Sequence, residues 1–244
     1  MVDKRVITTI KELQNLASIT SFYLAGGTNL AIRFNHRQSN DIDFFCEEQI
    51  GIKGFQTIHD ELCFYFKKRL IYCDFVRKQN DEIVFLSSII ETNGLQTKVE
   101  FIQSHKLFYP LETIGNIRMA SIMDIATFKI NSICNRQALK DMFDLSYITD
   151  IPGFNLKCVM SAYENRVAYN NDNKVTTIFS DNDTNNPLED PNTLLGVTNQ
   201  ANPTSAGRIP THSNPNSILG VENWQITVYK SEWNIKVKTY IKSL

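Results

Sequence analysis

The sequence lacks an apolar run long enough to span a membrane, which takes about 20 consecutive, mostly apolar residues. It also lacks the apolar core of a secretion signal, because charged residues interrupt the N-terminal stretch MVDKRVITTIKEL. These two absences argue against an integral membrane protein and against a secreted one. We therefore expect a cytoplasmic protein that makes no membrane contact.

The cysteines lack both a pairing pattern and a metal-binding pattern. All five are scattered, odd in number and without a C-x-x-C spacing. A disulfide framework needs paired cysteines in an oxidising compartment, and a structural zinc site needs closely spaced ligands. We therefore expect reduced thiols and no zinc.

The chain also lacks a large net charge: 25 Lys and Arg against 26 Asp and Glu give −1. This excludes an overall electrostatic attraction to nucleic acid, so an RNA contact would have to use a local basic patch. One such patch is interleaved with Phe and Tyr and consists of Lys67, Lys68, Arg69, Arg77 and Lys78. It could contact an RNA backbone, although a solvated face is the alternative explanation.

The most informative stretch is Phe22–Cys46, which reads FYLAGGTNLAIRFNHRQSNDIDFFC. Its end alternates acidic and apolar residues, and residues two apart in a strand share a face. Asp41 and Asp43 therefore point the same way, while Ile42 and Phe44 point into a core. Two carboxylates this close repel each other unless a cation lies between them. Mg²⁺ is the usual cation, because it accepts carboxylates together with substrate phosphates.

The residues before the two aspartates favour phosphate binding. Gly26 and Gly27 let the backbone approach a phosphate closely, and the N-terminus of the following helix attracts the anion. The Thr28 hydroxyl lies near that phosphate in this interpretation, and the Arg37 guanidinium matches phosphate oxygens. Ser39 could brace the first aspartate through its hydroxyl. A phosphate cradle followed by metal carboxylates predicts a site for phosphoryl or nucleotidyl transfer.

Glu100 is a candidate third carboxylate. It lies in Lys98-Val99-Glu100-Phe101, a strand pattern that puts Val99 and Phe101 on one face and Glu100 on the other. In a two-metal site such a residue binds the second metal and helps to deprotonate the attacking hydroxyl. Taken alone, Glu100 would be read as a surface glutamate.

A second block covers residues 117–149. Lys129 lies among apolar residues of a predicted helix, where a lysine could neutralise charge developing on triphosphate oxygens. Asp141 and Asp144 are three residues apart and share a helix face. One of them could orient Lys129 or the acceptor hydroxyl. The structural alternative is a salt bridge to Arg136 or Lys140.

Together these residues resemble the signature of the polymerase-beta-type nucleotidyltransferases, and more narrowly the AbiEii/AbiGii toxins of type IV toxin–antitoxin pairs. The resemblance covers residues 20–150. It is carried by Gly26-Gly27-Thr28, Leu30, Arg37, Ser39, Asp41-Ile42-Asp43-Phe44-Phe45, the Lys129 helix and Lys140-Asp141-Met142-Phe143-Asp144-Leu145.

The resemblance implies attack of an acceptor hydroxyl on the α-phosphate of a nucleoside triphosphate, with release of pyrophosphate. It implies that Asp41, Asp43 and Glu100 hold two Mg²⁺ ions, and that the glycine turn and Lys129 hold the triphosphate. The resemblance also implies that Asp141 is a catalytic residue. RNA, with a tRNA 3′ end as the leading candidate, is the implied acceptor, and an antitoxin is the implied partner.

Two alternatives stay open. One is a nucleotidyltransferase that acts on a small molecule such as an aminoglycoside. The other is a non-catalytic protein that keeps the fold as a nucleotide-binding module. The three carboxylates weigh against the second alternative, since a degenerate site would be free to lose them.

The predicted fold is an α/β nucleotidyltransferase core, a mixed sheet flanked by helices, followed by a helical region. Beyond about Asn170 the composition becomes rich in Asn, Thr, Ser and Pro, which favours a loop or disorder. Within it, 191–199 is imperfectly repeated at 215–223, to which we assign no function. The predicted parts are the core 1–115, the helical region 116–169, the Asn/Pro-rich segment 170–223 and the helix-like tail 224–244.

Overall fold

Alternating and amphipathic patterns in the first half of the chain produce one mixed sheet with helices packed on it. The computed structural model describes residues 2–77, 83–136, 138–178, 185–196 and 218–244. These fall into two units: the described residues of 2–35 and 39–121 form the first, and 36–38 with those from 122 onward form the second. The four-part division drawn from composition stays a prediction.

The first unit contains three α-helices and all strands of the sheet. The helices are α1 (Lys4–Gln14), α2 (Gly26–Phe34) and α3 (Gly51–Phe66). The strands are β1 (Tyr23–Leu24), β2 (Ile42–Phe45), β3 (Leu70–Arg77), β4 (Ile83–Thr92), β5 (Leu95–Ile102), β6 (Glu112–Ile114) and β7 (Ile117–Met119).

These seven strands form one sheet in the order β3-β4-β5-β2-β1-β7-β6. The β2–β5 and β1–β7 pairs are parallel, and the remaining pairs are antiparallel. The predicted α/β class with a mixed sheet is confirmed. β6 and β7 were not predicted; each has only three residues, too few for an alternating pattern to stand out.

The core of the first unit follows from the sequence periodicity. Val6, Ile10 and Leu13 of α1 are fully buried, as their helical spacing predicts. On the sheet, Phe44 and Phe101 stack with ring centroids 5.7 Å apart. Each such side chain contributes about 1.5–3 kcal/mol on burial. The helical spacing of apolar residues continues to Leu16, but α1 ends at Gln14, and a short 3₁₀ helix, Ala17–Ile19, follows.

The second unit is built of helices. They are α4 (Ile122–Arg136), α5 (Leu139–Ile148), α6 (Leu156–Asp172) and α7 (Asn223–Lys242). Phe143 packs with Ile226 in a small apolar cluster, and the buried indole of Trp233 donates a 2.8 Å hydrogen bond to the Leu194 carbonyl. The helix predicted in the tail is confirmed as α7.

Much of the Asn/Pro-rich segment, including the first three residues of its second repeat, lies outside the described residues. The first repeat begins with a 3₁₀ helix, Pro191–Leu195. Within the described part of the chain, no helix has both the length and the apolar character needed to cross a bilayer. All five cysteines are free thiols, as expected.

Candidate active site

Asp43 and Glu100 are brought together by the pairing of two parallel strands. In the register of β2 and β5, Asp43 lies directly opposite Glu100 and Ile42 lies opposite Val99. Directly opposite residues point to the same face of a sheet. Ile42 and Val99 are fully buried in the core, whereas both carboxylates are half-buried on the other face. The sheet therefore places these two predicted metal ligands side by side.

Asp41 lies immediately before β2 and is held through its main chain. Its carbonyl accepts a short hydrogen bond from the Thr28 hydroxyl. The same hydroxyl lies 2.8 Å from Oγ of Ser39. The Thr28 side chain, which is fully buried, thus joins the first turn of α2 to the loop that carries Asp41. The predicted roles of Thr28 and Ser39 toward a nucleotide stay predictions.

The glycine pair lies inside the first turn of α2 rather than in a turn before it. Gly26 has a φ of +64°, which an L side chain rarely adopts. A Cβ atom there would lie 1.9 Å from Oδ2 of Asp43. The backbone at residue 26 is therefore packed directly against a predicted metal ligand. Ala25 caps the helix without a side-chain hydrogen bond, and its N–H donates to the Asp43 carbonyl at 2.8 Å.

Two residues of α2 that sequence reasoning missed hold this helix on the sheet. The Asn29 amide is buried and donates to the carbonyls of Leu24 and Ala120, at 2.9 and 3.0 Å. Arg33 donates to Asn29 Oδ1 at 2.7 Å and to the Ala120 carbonyl at 2.9 Å. A polar pair four residues apart in an otherwise apolar helix is the signal that could have revealed them.

Like Asn29 and Arg33, Lys98 was not predicted from the sequence as a residue of the site. Its Nζ lies 2.6 Å from Oε1 of Glu100, which is an ion-pair distance. The angle between the two groups is not that of a hydrogen bond, and Oε1 accepts none although it is buried. Glu100 is therefore already engaged with a cation of the protein itself.

The chemistry of the donors fits a divalent cation. Asp41, Asp43 and Glu100 offer only carboxylate oxygens, which Mg²⁺ prefers, and the missing Cβ at Gly26 leaves room for the Asp43 carboxylate. In the described structure, however, no three His, Cys, Asp or Glu side chains converge as a metal-binding group.

The second unit holds Lys129 and Asp141 in a buried ion network. Lys129 Nζ lies 2.6 Å from Asp141 Oδ1 and 2.8 Å from Asp144 Oδ2. Arg136 adds a 2.6 Å contact to Asp141 Oδ2, the salt bridge that the sequence offered as the structural alternative. Burial acts to raise the pKa of Asp141, but Arg136 and Lys129 outweigh it and hold that pKa well below its usual range. Asp141 is therefore a carboxylate in the folded protein.

Arg37 belongs to the same network. Its guanidinium forms a two-pronged contact with Asp144, with Nε and Nη2 at 2.6 and 2.8 Å from the two oxygens. His36 Nε2 also lies 2.8 Å from Asp144 Oδ1. Burial would raise the pKa of Asp144, yet Arg37 and Lys129 lower it well below its usual range. The predicted contacts of Arg37 and Lys129 with a triphosphate stay predictions.

Of the predicted basic patch, the structure describes the side chains of Lys67, Lys68 and Arg69. Arg69 is engaged by Glu12, with nitrogen–oxygen distances of 2.7 and 3.1 Å, and by the Glu91 carbonyl. Lys67 Nζ lies 6.0 Å from the ring centroid of Phe64, and Lys68 is exposed. The Arg77 side chain and Lys78 lie outside the described residues. We call Phe64, Tyr65, Lys67, Lys68 and Tyr72 the aromatic–basic patch.

The arrangement of glycines and carboxylates agrees with a match of the sequence to a known family. Residues 11–207 match the family described as "Nucleotidyl transferase AbiEii toxin, Type IV TA system". The chain belongs to this family. It is therefore a nucleotidyltransferase of the AbiEii toxin family, and the predicted family and enzyme class are confirmed.

Two known proteins are similar to this AbiEii family member. An uncharacterized protein of Aquifex aeolicus is 28% identical over 148 residues, which cover 61% of this chain and 67% of that protein. The solved structure of MenT4, a nucleotidyltransferase toxin of Mycobacterium tuberculosis, has a TM-score of 0.61. It is 14% identical, and the match covers 96% of this chain and 83% of that one. At this identity the likeness shows a shared fold.

Proposed function

We propose that this nucleotidyltransferase is metal-dependent and moves a nucleotide from a nucleoside triphosphate to a hydroxyl of RNA, with a tRNA 3′ end as the leading acceptor. The observation that carries the proposal is the side-by-side placement of Asp43 and Glu100 next to the backbone of Gly26. Oxygen ligands and a helix N-terminus that binds phosphate are what such a transfer requires.

In this proposal Asp41, Asp43 and Glu100 would hold two Mg²⁺ ions. Bound there, the metal would neutralise charge on the phosphates and make the attacking hydroxyl more acidic. The N–H groups at the start of α2 would bind phosphate oxygens, because the first turn of a helix has N–H groups without intrahelical partners. Thr28 would keep that turn aligned with the loop of Asp41, through its bond to the Asp41 carbonyl.

Lys129, Asp141 and Arg37 stay candidates for handling the triphosphate and the acceptor hydroxyl. Each already has ion partners in the buried network of the second unit. A direct role for Lys129 or Arg37 toward phosphate would therefore require exchange of those pairs. A positioning role for Asp141 needs no exchange, since it already holds Lys129.

The aromatic–basic patch supports an RNA acceptor. Phe64 is 78% exposed. Tyr65, Tyr72, Lys67 and Lys68 are exposed as well, and Lys67 Nζ lies 6.0 Å from the centroid of the Phe64 ring. Bases stack on exposed aromatic rings, and lysines contact the phosphates between them. We further propose that an antitoxin counteracts the enzyme and that it works in the cytoplasm, where its triphosphate and RNA substrates occur.

A small-molecule acceptor such as an aminoglycoside is the second candidate. The observation that favours it is the ion pair of Arg69 with Glu12, which engages one cation of the predicted basic patch. A small acceptor needs few cations, whereas an RNA acceptor exchanges several charges with the protein.

Labelled nucleotide transfer tests the proposal. The purified protein is incubated with each radiolabelled triphosphate, with Mg²⁺, and with total RNA or an aminoglycoside mixture. We expect label in RNA, and its loss in Asp43→Asn, whose fold should persist because the change relieves repulsion between carboxylates. Asp60→Asn, a change of an exposed aspartate on α3, is the matched control. Label in the aminoglycosides alone would favour the second candidate, and full activity of Asp43→Asn would refute the metal site.

A further inference from the structure

Lys98 is a cation in direct contact with Glu100, one of the candidate metal ligands. It lies two residues before Glu100 in β5, so the two side chains share a face. Nζ of Lys98 lies 2.6 Å from Oε1 of Glu100, and the side chains are only 14% and 13% exposed. A pair this buried is screened far less than a surface ion pair.

The strand register places Lys98 on the face of the sheet that carries Asp43 and Glu100. Asp43 lies directly opposite Glu100, and Lys98 is two residues before Glu100 in the same strand. The ammonium group of Lys98 therefore lies on the surface where two of the candidate carboxylates are paired.

The contact between Lys98 and Glu100 is close but not aligned. Glu100 Oε1 accepts no hydrogen bond, whereas Arg37 makes two aligned bonds to Asp144 in the second unit. Ser87, which lies opposite Glu100 in β4, has a buried hydroxyl that finds no hydrogen-bond partner in the described residues. Glu100 thus has a second polar neighbour available if its contact with Lys98 is exchanged.

We propose that Lys98 is a positioning residue that occupies Glu100 until a divalent cation replaces it. This rests on the proposed function, because it presumes a cation at these carboxylates. The ammonium group reduces the repulsion between the carboxylates, and it also lowers their affinity for a metal. Binding of the cation therefore requires exchange of the Lys98–Glu100 pair, after which Ser87 can donate a hydrogen bond to Glu100.

Binding of Mn²⁺ to the protein without nucleotide tests this exchange. Free Mn²⁺ is measured by electron paramagnetic resonance while the ion is titrated into wild type, Lys98→Met and Lys98→Arg. We expect Lys98→Met to bind Mn²⁺ tighter by roughly tenfold, because a charge a few ångströms from the site has been removed. Lys98→Arg keeps the charge and should stay close to wild type. Lys106→Met, which removes an exposed contact to Glu47 at 3.9 Å, is the matched control.

A double-mutant cycle with Glu100→Gln shows whether Lys98 acts through Glu100. The tightening caused by Lys98→Met should vanish in the Glu100→Gln background, since the two residues are then no longer coupled. Tightening that persists there, or a Lys98→Met variant with unchanged or weaker binding, would overturn the proposal. A Lys98→Met variant that folds only with divalent cation, judged by circular dichroism, supports it. One that stays unfolded with and without cation overturns it.

The same titration separates this proposal from the function on which it rests. If Asp43→Asn abolishes Mn²⁺ binding but Lys98→Met leaves it unchanged, only the role of Lys98 is refuted. Binding that is absent in wild type, or insensitive to Asp43→Asn, would refute the metal site and the role of Lys98 together.

Discussion

Gly26 and Asp43 are packed so closely that a Cβ atom at position 26 would lie 1.9 Å from Oδ2 of the aspartate and would displace it. The φ of +64° adds a second requirement for glycine. The contact links the two halves of the motif that the sequence showed only as neighbours, the glycine pair and the alternating aspartates.

Gly26→Ala should lower the rate of transfer about 100-fold with the sheet intact. The new methyl group would push Asp43 from its place, and a displacement of about 1 Å in an active site can lower the rate about 100-fold. The measurement is nucleotide transfer at saturating triphosphate, with the fold checked by circular dichroism. Gly115→Ala is the matched control, because its φ is +56° and a Cβ there meets nothing within 4 Å. Equal activity in the two variants would show that the contact with Asp43 is irrelevant to catalysis.

Lys129→Met should destabilise the protein strongly. It leaves Asp141 and Asp144 buried with one cation fewer, and breaking a buried ion pair costs about 3–5 kcal/mol. The free energy of unfolding is measured by urea titration. Arg136→Met, at a side chain that is 39% exposed, should cost less. A Lys129→Met protein as stable as wild type would contradict the buried network.

Turnover of the same variant tests the predicted catalytic role of Lys129. If the lysine stabilises charge on the triphosphate, turnover should be slower in the variant. The activation free energy should rise by about 2–4 kcal/mol, measured at a temperature where the variant is fully folded. Unchanged turnover at saturating nucleotide would assign Lys129 to the structure alone.

Stability should decline in acid because of Asp141 and Asp144. The folded-state pKa of each lies below its unfolded value, so the folded state holds fewer protons. The stabilisation is then present above the unfolded pKa of about 3.9 and is lost as the pH falls through the folded pKa. Urea titrations from about pH 6 to about pH 3 should therefore show a falling free energy of unfolding that begins near pH 5.

Asp144→Asn should flatten that pH dependence, since the asparagine binds no proton in either state. Asp172→Asn, at an exposed position on α6, is the control and should leave the slope near that of wild type. Equal slopes for the wild type and Asp144→Asn would contradict the assigned pKa shift.

Lys68→Glu should weaken RNA binding and reduce its salt dependence. Each phosphate contact on a single strand contributes about 0.7 log units of affinity per log unit of salt. RNA binding is measured against salt for wild type, Lys68→Glu and Phe64→Ala, with triphosphate affinity unchanged in all three. Lys53→Glu is the matched control, because Lys53 is an exposed lysine near the start of α3 and the same charge change is made there away from the patch. If the salt titrations are flat and identical, the aromatic–basic patch is not an RNA-binding surface, and the small-molecule acceptor is favoured.

By itself the sequence determined the elements whose pattern is local. The alternation at Asp41–Phe45 is that of a strand, and this segment forms β2. The apolar spacing of residues 4–18 and that of Phe55, Ile58 and Leu62 are helical, and these segments form α1 and α3. These patterns are readable because each residue's face is set by the geometry of its own helix or strand. The glycine–aspartate motif also identified the family, since it is contiguous in the chain.

Tertiary structure decided which of the candidate charges meet. Glu100 lies beside Asp43 only through the register of two strands that are distant in the sequence, and no local pattern encodes that register. The partners of Arg37 and Lys129 were likewise set by burial, because a buried charge must find its counterion wherever the fold provides one. For the same reason Lys98, which in sequence is one more polar residue of an alternating strand, proved to be the cation that contacts Glu100.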